Sequence, residues 1–265
     1  MIHFAFIVPI GIYDKYLMNI FSSSPNSLRI IQLLSLVILL TSPFVAVFNW
    51  QYVLLAIIMF YCYSILGISM MLHRYYTHKS FKLGNLAKWF YTVFVVLAGR
   101  GSPLSWVYIH RIHHATSDTE KDPHSPHNKD FSFVRFKPAD TKFNPFIVKE
   151  LLTPVHLKIE KYYLLFILAF LLLLSIVNYN LVIYMWAIPV FAVSVSQLAF
   201  NYFAHSYGYR NFETEDRSTN NAYLWPFILG DAWHNNHHGN SAAKTTQIKW
   251  WELDPVKYII KVIEK

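Results

Sequence analysis

The sequence predicts an all-α integral membrane protein with four spanning helices arranged as two hairpins. Three observations predict it: a low charge content, two long stretches with no charged residue, and the confinement of every Lys and Arg outside those stretches. Of 265 residues, 54% are hydrophobic, 18% aromatic and only 14% charged. Soluble domains carry about 25% charged residues. The length allows one large domain or two small ones. With no linker, low-complexity tract or repeat beyond the hairpins, residues 1–265 read as a single membrane-embedded domain. The lone Cys62 excludes an internal disulfide framework and any multi-cysteine metal site.

Residues 30–73 and 162–209 are the two uncharged runs, 44 and 48 residues long. A spanning helix needs about 20 residues, so each run accommodates two. Each turns polar near its middle, at Phe48-Asn49-Trp50-Gln51 and at Asn178-Tyr179-Asn180. The spans fall near 30–48, 51–72, 162–178 and 181–204. Helices satisfy their own backbone hydrogen bonds, as lipid demands. A hairpin returns the chain to its starting side, so residues 1–29, 73–161 and 205–265 share one side. They carry 2, 14 and 7 of the 23 Lys and Arg, and the hairpin turns carry none. By the positive-inside rule that side is the cytoplasm, termini included. The net charge of +8 then reflects topology and an anionic leaflet rather than nucleic-acid binding. The first 20 residues lack a basic leader and a cleavage site, and read as an interfacial segment. Residues 89–99 are apolar but too short to span, and read as an embedded helix.

Thirteen histidines are present, and nine fall into four groups: His73 and His78; His110, His113 and His114; His205; His234, His237 and His238. Positions i, i+3 and i+4 project from one side of a helix, so each H-x2-H-H group presents a triad in one direction. Asn201 stands one turn before His205. Five residues do not share a face, so His73 and His78 are expected to flank a helix end and converge from different backbone conformations. Neutral imidazole binds transition metals, and nine exceed a single four-coordinate site. They suit two metals with four or five ligands each. His3, His124, His127 and His156 read as ordinary histidines.

The segments HRYYTHKSFK (73–82), GSPLSWVYIHRIHHATSDTEKDPHSP (101–126), NYFAHSYG (201–208) and GDAWHNNHHGNSAAKTTQIKWWELD (230–254) resemble the membrane acyl-CoA desaturase family of the stearoyl-CoA, or delta-9, type. The resemblance covers residues 66 to 254. It implies four transmembrane helices and a cytosolic helical cap holding a di-iron site. His73, His78, His110, His113, His114, His205, His234, His237 and His238 would be the ligands of two non-haem irons, with Asn201 acting through a water. It implies a cis double bond introduced into a saturated acyl chain, with O2 and two electrons consumed. Asp231-Ala232 stands where the family usually has Glu-Gly, and Asp231 is expected to orient a ligand histidine. Arg100 replaces a frequent Gln. FSFVRFKP and GNSAAK also depart from the pattern. No HPGG-type cytochrome b5 element is present, which implies a separate electron donor, ferredoxin or cytochrome b5 with its reductase.

Counting back in fours from His73 gives Ser69, Ile65 and Tyr61, and Tyr61 and Ile65 are the expected end of an acyl tunnel. Trp106 and Gln197 are expected further along its lining. The basic 135–149 stretch is read as a positive-inside loop or a contact for substrate phosphate. The substrate is an acyl-CoA or an acyl-lipid, the site of action membrane lipid. A bacterial inner membrane is the expected location. A lipid hydroxylase or oxygenase with the same ligands is the nearest alternative. A non-enzymatic metal-binding membrane protein and a zinc enzyme are more distant ones.

Overall fold

The computed structural model describes residues 23–128 and 143–265. The expectations for the first 20 residues, for His3 and for most of the 135–149 stretch lie outside them. Among the described residues the chain is helical, with only isolated β-bridges at Tyr209–Asn220 and Asn220–Trp233. Three helices are long and apolar enough to span: α1 (Pro25–Val45), α2 (Trp50–Thr77) and α7 (Tyr179–Phe203). A fourth span arises where α5 (Pro154–Lys161) and α6 (Tyr163–Val177) pass the same test as a pair bent by 68°.

α1 begins where Ser24 accepts a hydrogen bond from the Ser27 amide, with Pro25 in the first turn. It therefore starts five residues before the charge-free run. Arg29 lies within the helix near its end, where a long side chain reaches the interface. Ile31, Ser35 and Ile38 are buried, whereas Leu33, Val37, Leu40 and Phe44 are exposed on the lipid side. α2 follows after four residues. Its first 12 residues, to Tyr61, are α-helical, and the next 16, Cys62–Thr77, are wound as a π-helix. The span thus runs past its expected end at residue 72. The charge that follows is accommodated by partners: Arg74 is buried and forked onto Asp254 at 2.9 and 3.1 Å, with Asp231 at 3.4 Å.

The two hairpin turns meet at the membrane side remote from the histidines. There Asn180 Oδ1 accepts from the Val47 amide at 2.8 Å, and Tyr52 stacks on Tyr184 at 5.1 Å. α3 (Asn85–Leu97) is the short embedded helix, starting four residues earlier than the apolar run. It crosses α2 at Gly67, where a Cβ would lie 2.8 Å from the Phe94 carbonyl oxygen. α4 (Pro103–Thr116) then rises toward the histidines, capped by Ser102. Lipid supplies no hydrophobic drive for helix association, so close packing and polar bonds hold the bundle. Tyr63 donates to the Met185 carbonyl at 3.0 Å and the Trp186 indole to that of Leu97 at 3.1 Å. Such bonds contribute on the order of 0.6 kcal/mol each. The cap comprises the 204–233 loops, α8 (His234–Gly239) and α9 (Val256–Ile263), which buries Val256 and Ile260.

Candidate metal centre

The nine clustered histidines converge as two groups. His73, His78, His110, His114 and His237 form one, and His113, His205, His234 and His238 the other. Within each group one nitrogen per ring lies within 4.8 Å of all the others. His73 and His237 Nε2 are 2.9 Å apart, His237 and His114 Nε2 3.0 Å, and His205 and His234 Nε2 2.9 Å.

Each H-x2-H-H motif is divided between the groups rather than facing one way. α4 gives His110 and His114 to the five-histidine group and His113 to the other. α8 gives His234 and His238 to the four-histidine group and His237 to the other. At about 100° per residue, i and i+4 lie 40° apart while i+3 falls 60° to the opposite side. Two facing helices with the same motif therefore interleave into two sites.

His73 and His78 flank the helix end, as expected, but in one winding rather than in different backbone conformations. Both lie at the end of one continuous π-wound segment, and the His78 amide donates to the His73 carbonyl, five residues back, at 3.2 Å. That winding brings positions i and i+5 nearly one turn apart, and the rings meet at 5.1 Å.

Four carboxylates grip the outer nitrogens. Asp231 Oδ1 lies 3.3 Å from His73 Nδ1 and accepts from Ser69 Oγ at 2.8 Å. Both oxygens of Asp122 lie 3.0 Å from His113 Nδ1. Asp118 lies 2.8 Å from His205 Nδ1, and Asp216 2.5 Å from His238 Nδ1. An imidazole anchored this way has a fixed tautomer and points its free lone pair inward. Only Asp231 was singled out from the sequence. Asp118 and Asp122 lie in the SDTEKD segment of the resembling motif. Asp216 sits in a loop with no sequence signal.

Six of the rings are held neutral. Burial first, then neighbouring imidazoles, puts His110, His234 and His237 well below the usual imidazole range and His78 at about 2; His114 is lowered likewise. Burial lowers His238 to about 4 although Asp216 pulls it upward. Buried Nε2 atoms of His78 and His238 have no hydrogen-bond partner. Orphaned lone pairs on neutral rings aimed into a cluster fit metal ions.

Of the other residues singled out, Trp106 stacks on His110 at 4.5 Å and meets His73 edge-on at 6.3 Å. Ile65 is half-buried against the core. Tyr61 donates to the Pro226 carbonyl at 2.8 Å. Gln197 is half-buried on α7. Asn201 is on the last turn of α7, and His205 lies two residues beyond the helix end. His127 reaches the His205 carbonyl oxygen at 2.9 Å.

Helices long enough to span a membrane, crowned by two histidine groups that could hold metal ions, define a class of membrane protein. The family model for fatty acid desaturase matches residues 48–263, and the chain belongs to that family. It is 31% identical to an sn-1 stearoyl-lipid 9-desaturase of Anabaena variabilis, over 82% of each chain. It is 30% identical to an acyl-CoA 5-desaturase of Anemone leveillei, over 86% of this chain and 73% of the relative. A palmitoyl-monogalactosyldiacylglycerol delta-7 desaturase of Arabidopsis thaliana is 29% identical over 82% of this chain and 61% of its own. The chain is thus a membrane oxidoreductase of fatty acyl desaturation.

Proposed function

We propose that this enzyme introduces a cis double bond, at delta-9, into a saturated acyl chain at a centre of two irons. The division of nine histidines into groups of five and four carries this reading. The five-histidine group would hold one iron and the four-histidine group the other. Asn201, through a water, would bring the second to five ligands. Two irons supply the oxidising power that unactivated C–H bonds require. In the balanced reaction, adjacent methylenes each give up one hydrogen, and O2 with two electrons and two protons leaves as two waters.

The chain's own residues position and exclude. Asp231, Asp122, Asp118 and Asp216 hold His73, His113, His205 and His238 in register. Trp106, stacked on His110, shapes an apolar wall and keeps bulk water from the centre. Tyr61, Ile65 and Gln197 line the remainder of the acyl path. The electrons come from a separate ferredoxin or cytochrome b5. Both termini face the cytoplasm of a bacterial inner membrane, and the chain acts as one domain. Regiochemistry rests on likeness to the stearoyl-lipid 9-desaturase, and the relatives named for positions 5 and 7 make it the point to measure. The chain would be expressed with such a donor in a host lacking its own desaturase, and total fatty acids analysed by gas chromatography–mass spectrometry. A new delta-9 monounsaturated acid, absent with His113→Ala, is the expected result. A hydroxy acid would move the assignment to a lipid hydroxylase.

A further inference from the structure

The cap contains an apolar stretch, Ala-Tyr-Leu-Trp-Pro-Phe-Ile at 222–228. Its position is fixed by the hydrogen bond from Tyr61 to the Pro226 carbonyl oxygen. Tyr61 ends the 12-residue α-helical part of α2. It therefore lies roughly 18 Å along the span from its far end, inside a hydrocarbon layer about 30 Å thick.

The backbone here is organised as lipid requires. The Asn221 side chain accepts from the Tyr223 amide and its carbonyl from that of Leu224. The Trp225 amide reaches the Ala222 carbonyl, and the Leu229 amide that of Trp225. The Trp225 indole donates to the Leu253 carbonyl oxygen at 2.7 Å. Pro226 has no amide hydrogen to satisfy. A segment with its polar groups paired in this way tolerates membrane depth.

Its two faces differ. Outward, Tyr223 is 90% exposed and Phe227 54%. Inward, Leu224 and Ile228 pack with Ala204, Ala232 and Phe200 of α7, and the Phe200 ring meets that of His234 at 4.7 Å. The segment thus bridges α2 and α7, with bilayer on one side and the four-histidine group behind the other. Its junction to Asp231 passes through Leu229, whose φ of +49° is unusual for a bulky side chain. Such strained backbone persists only where surrounding packing enforces it, and it clusters at active sites and switch regions.

We propose that the Ala222–Ile228 segment is a membrane-inserted wall closing the seam between α2 and α7. Through this seam an acyl chain still esterified to a bilayer lipid enters the site. The inference rests on the desaturase reading and narrows its substrate to chains presented laterally from the membrane. A chain carried by coenzyme A would arrive from the cytosolic surface instead. The Tyr61–Pro226 hydrogen bond is the latch.

In a Cys62→Ser background, Tyr61→Cys and Phe227→Cys are joined by a short cleavable bis-thiol reagent. With a reduced ferredoxin or cytochrome b5 supplied, vesicles of distearoylphosphatidylcholine test the lateral route, and stearoyl-CoA added from solution tests the other. Linking should reduce desaturation of the phospholipid chains by at least about tenfold, and cleaving the link in the same sample should restore it. Unchanged phospholipid desaturation after linking overturns the proposal, as does turnover of stearoyl-CoA alone in the unlinked protein. Equal loss of both substrates on linking also counts against a lipid-specific seam. If the wild-type chain desaturates neither substrate, the proposed function itself fails. The wall is then decided by a nitroxide on Tyr223→Cys in the same Cys62→Ser background. Greater collision with O2 than with a water-soluble nickel chelate supports insertion, and the reverse order refutes it.

Discussion

Replacing Asp216 by Asn tests whether the carboxylates set the affinity of the centre. Asp216 Oδ2 accepts a hydrogen bond from His238 Nδ1 at 2.5 Å, while Oδ1 accepts from the Ser218 amide at 2.9 Å, the Ser218 hydroxyl at 2.5 Å and Thr214 Oγ1 at 2.8 Å. Burial pushes this carboxyl's pKa upward, but hydrogen bonds from His238 and Ser218 outweigh it and hold the group ionised. Asn has one acceptor oxygen for two sets of donors. Either His238 loses its anchor or the Ser218 amide faces an NH2 group. A charge-assisted bond of this kind contributes about 1.5–3 kcal/mol. That matches the 10- to 100-fold loss of metal affinity usual when such a partner is removed. The assay is competition for iron against a graded chelator, with thermal unfolding of the apoprotein as a folding control. A 10- to 100-fold loss confined to one of two irons is expected. Affinity within about twofold of wild type would refute the positioning role.

Arg74→Ala leaves Asp254, 1% exposed, without its forked partner. It should destabilise the protein by about 3–5 kcal/mol, seen as a lower midpoint in detergent unfolding; an unchanged midpoint contradicts the assignment. The apoprotein should lose stability as pH falls below about 6.5. His78, at about 2, and His238, at about 4, stay neutral when folded but take up protons when unfolded. Each contributes up to about 1.4 kcal/mol per pH unit in that window, and a flat profile from about pH 7 to about pH 5 would contradict it. Tyr61→Ala should shift the product profile toward longer chains in gas chromatography; an unchanged profile removes Tyr61 from the acyl path.

The spans and the nine histidines were legible because both depend on local counting. Charge-free length locates a bilayer helix, and H-x2-H-H spacing places imidazoles on one helix. The partition into two groups was not legible, since it arises when α4 and α8 face each other. The five-residue spacing of His73 and His78 misled because it presumes α-helical winding, and Cys62–Thr77 is π-wound. Asp118 and Asp216 escaped because they act from loops. Asp118 even has a φ of +58°, which no periodicity announces. The 222–228 wall was hidden by its length, far below that of a span, within a charged tail.

If one chain builds two iron sites, each with its own set of histidines, the two irons are separable by Mössbauer spectroscopy of the iron-loaded protein, wild type against His113→Ala. The expected result is two irons in the wild type and selective loss of the four-histidine iron in the variant, the five-histidine signal remaining. Equal loss of both signals, or a spectrum identical to wild type, would contradict it.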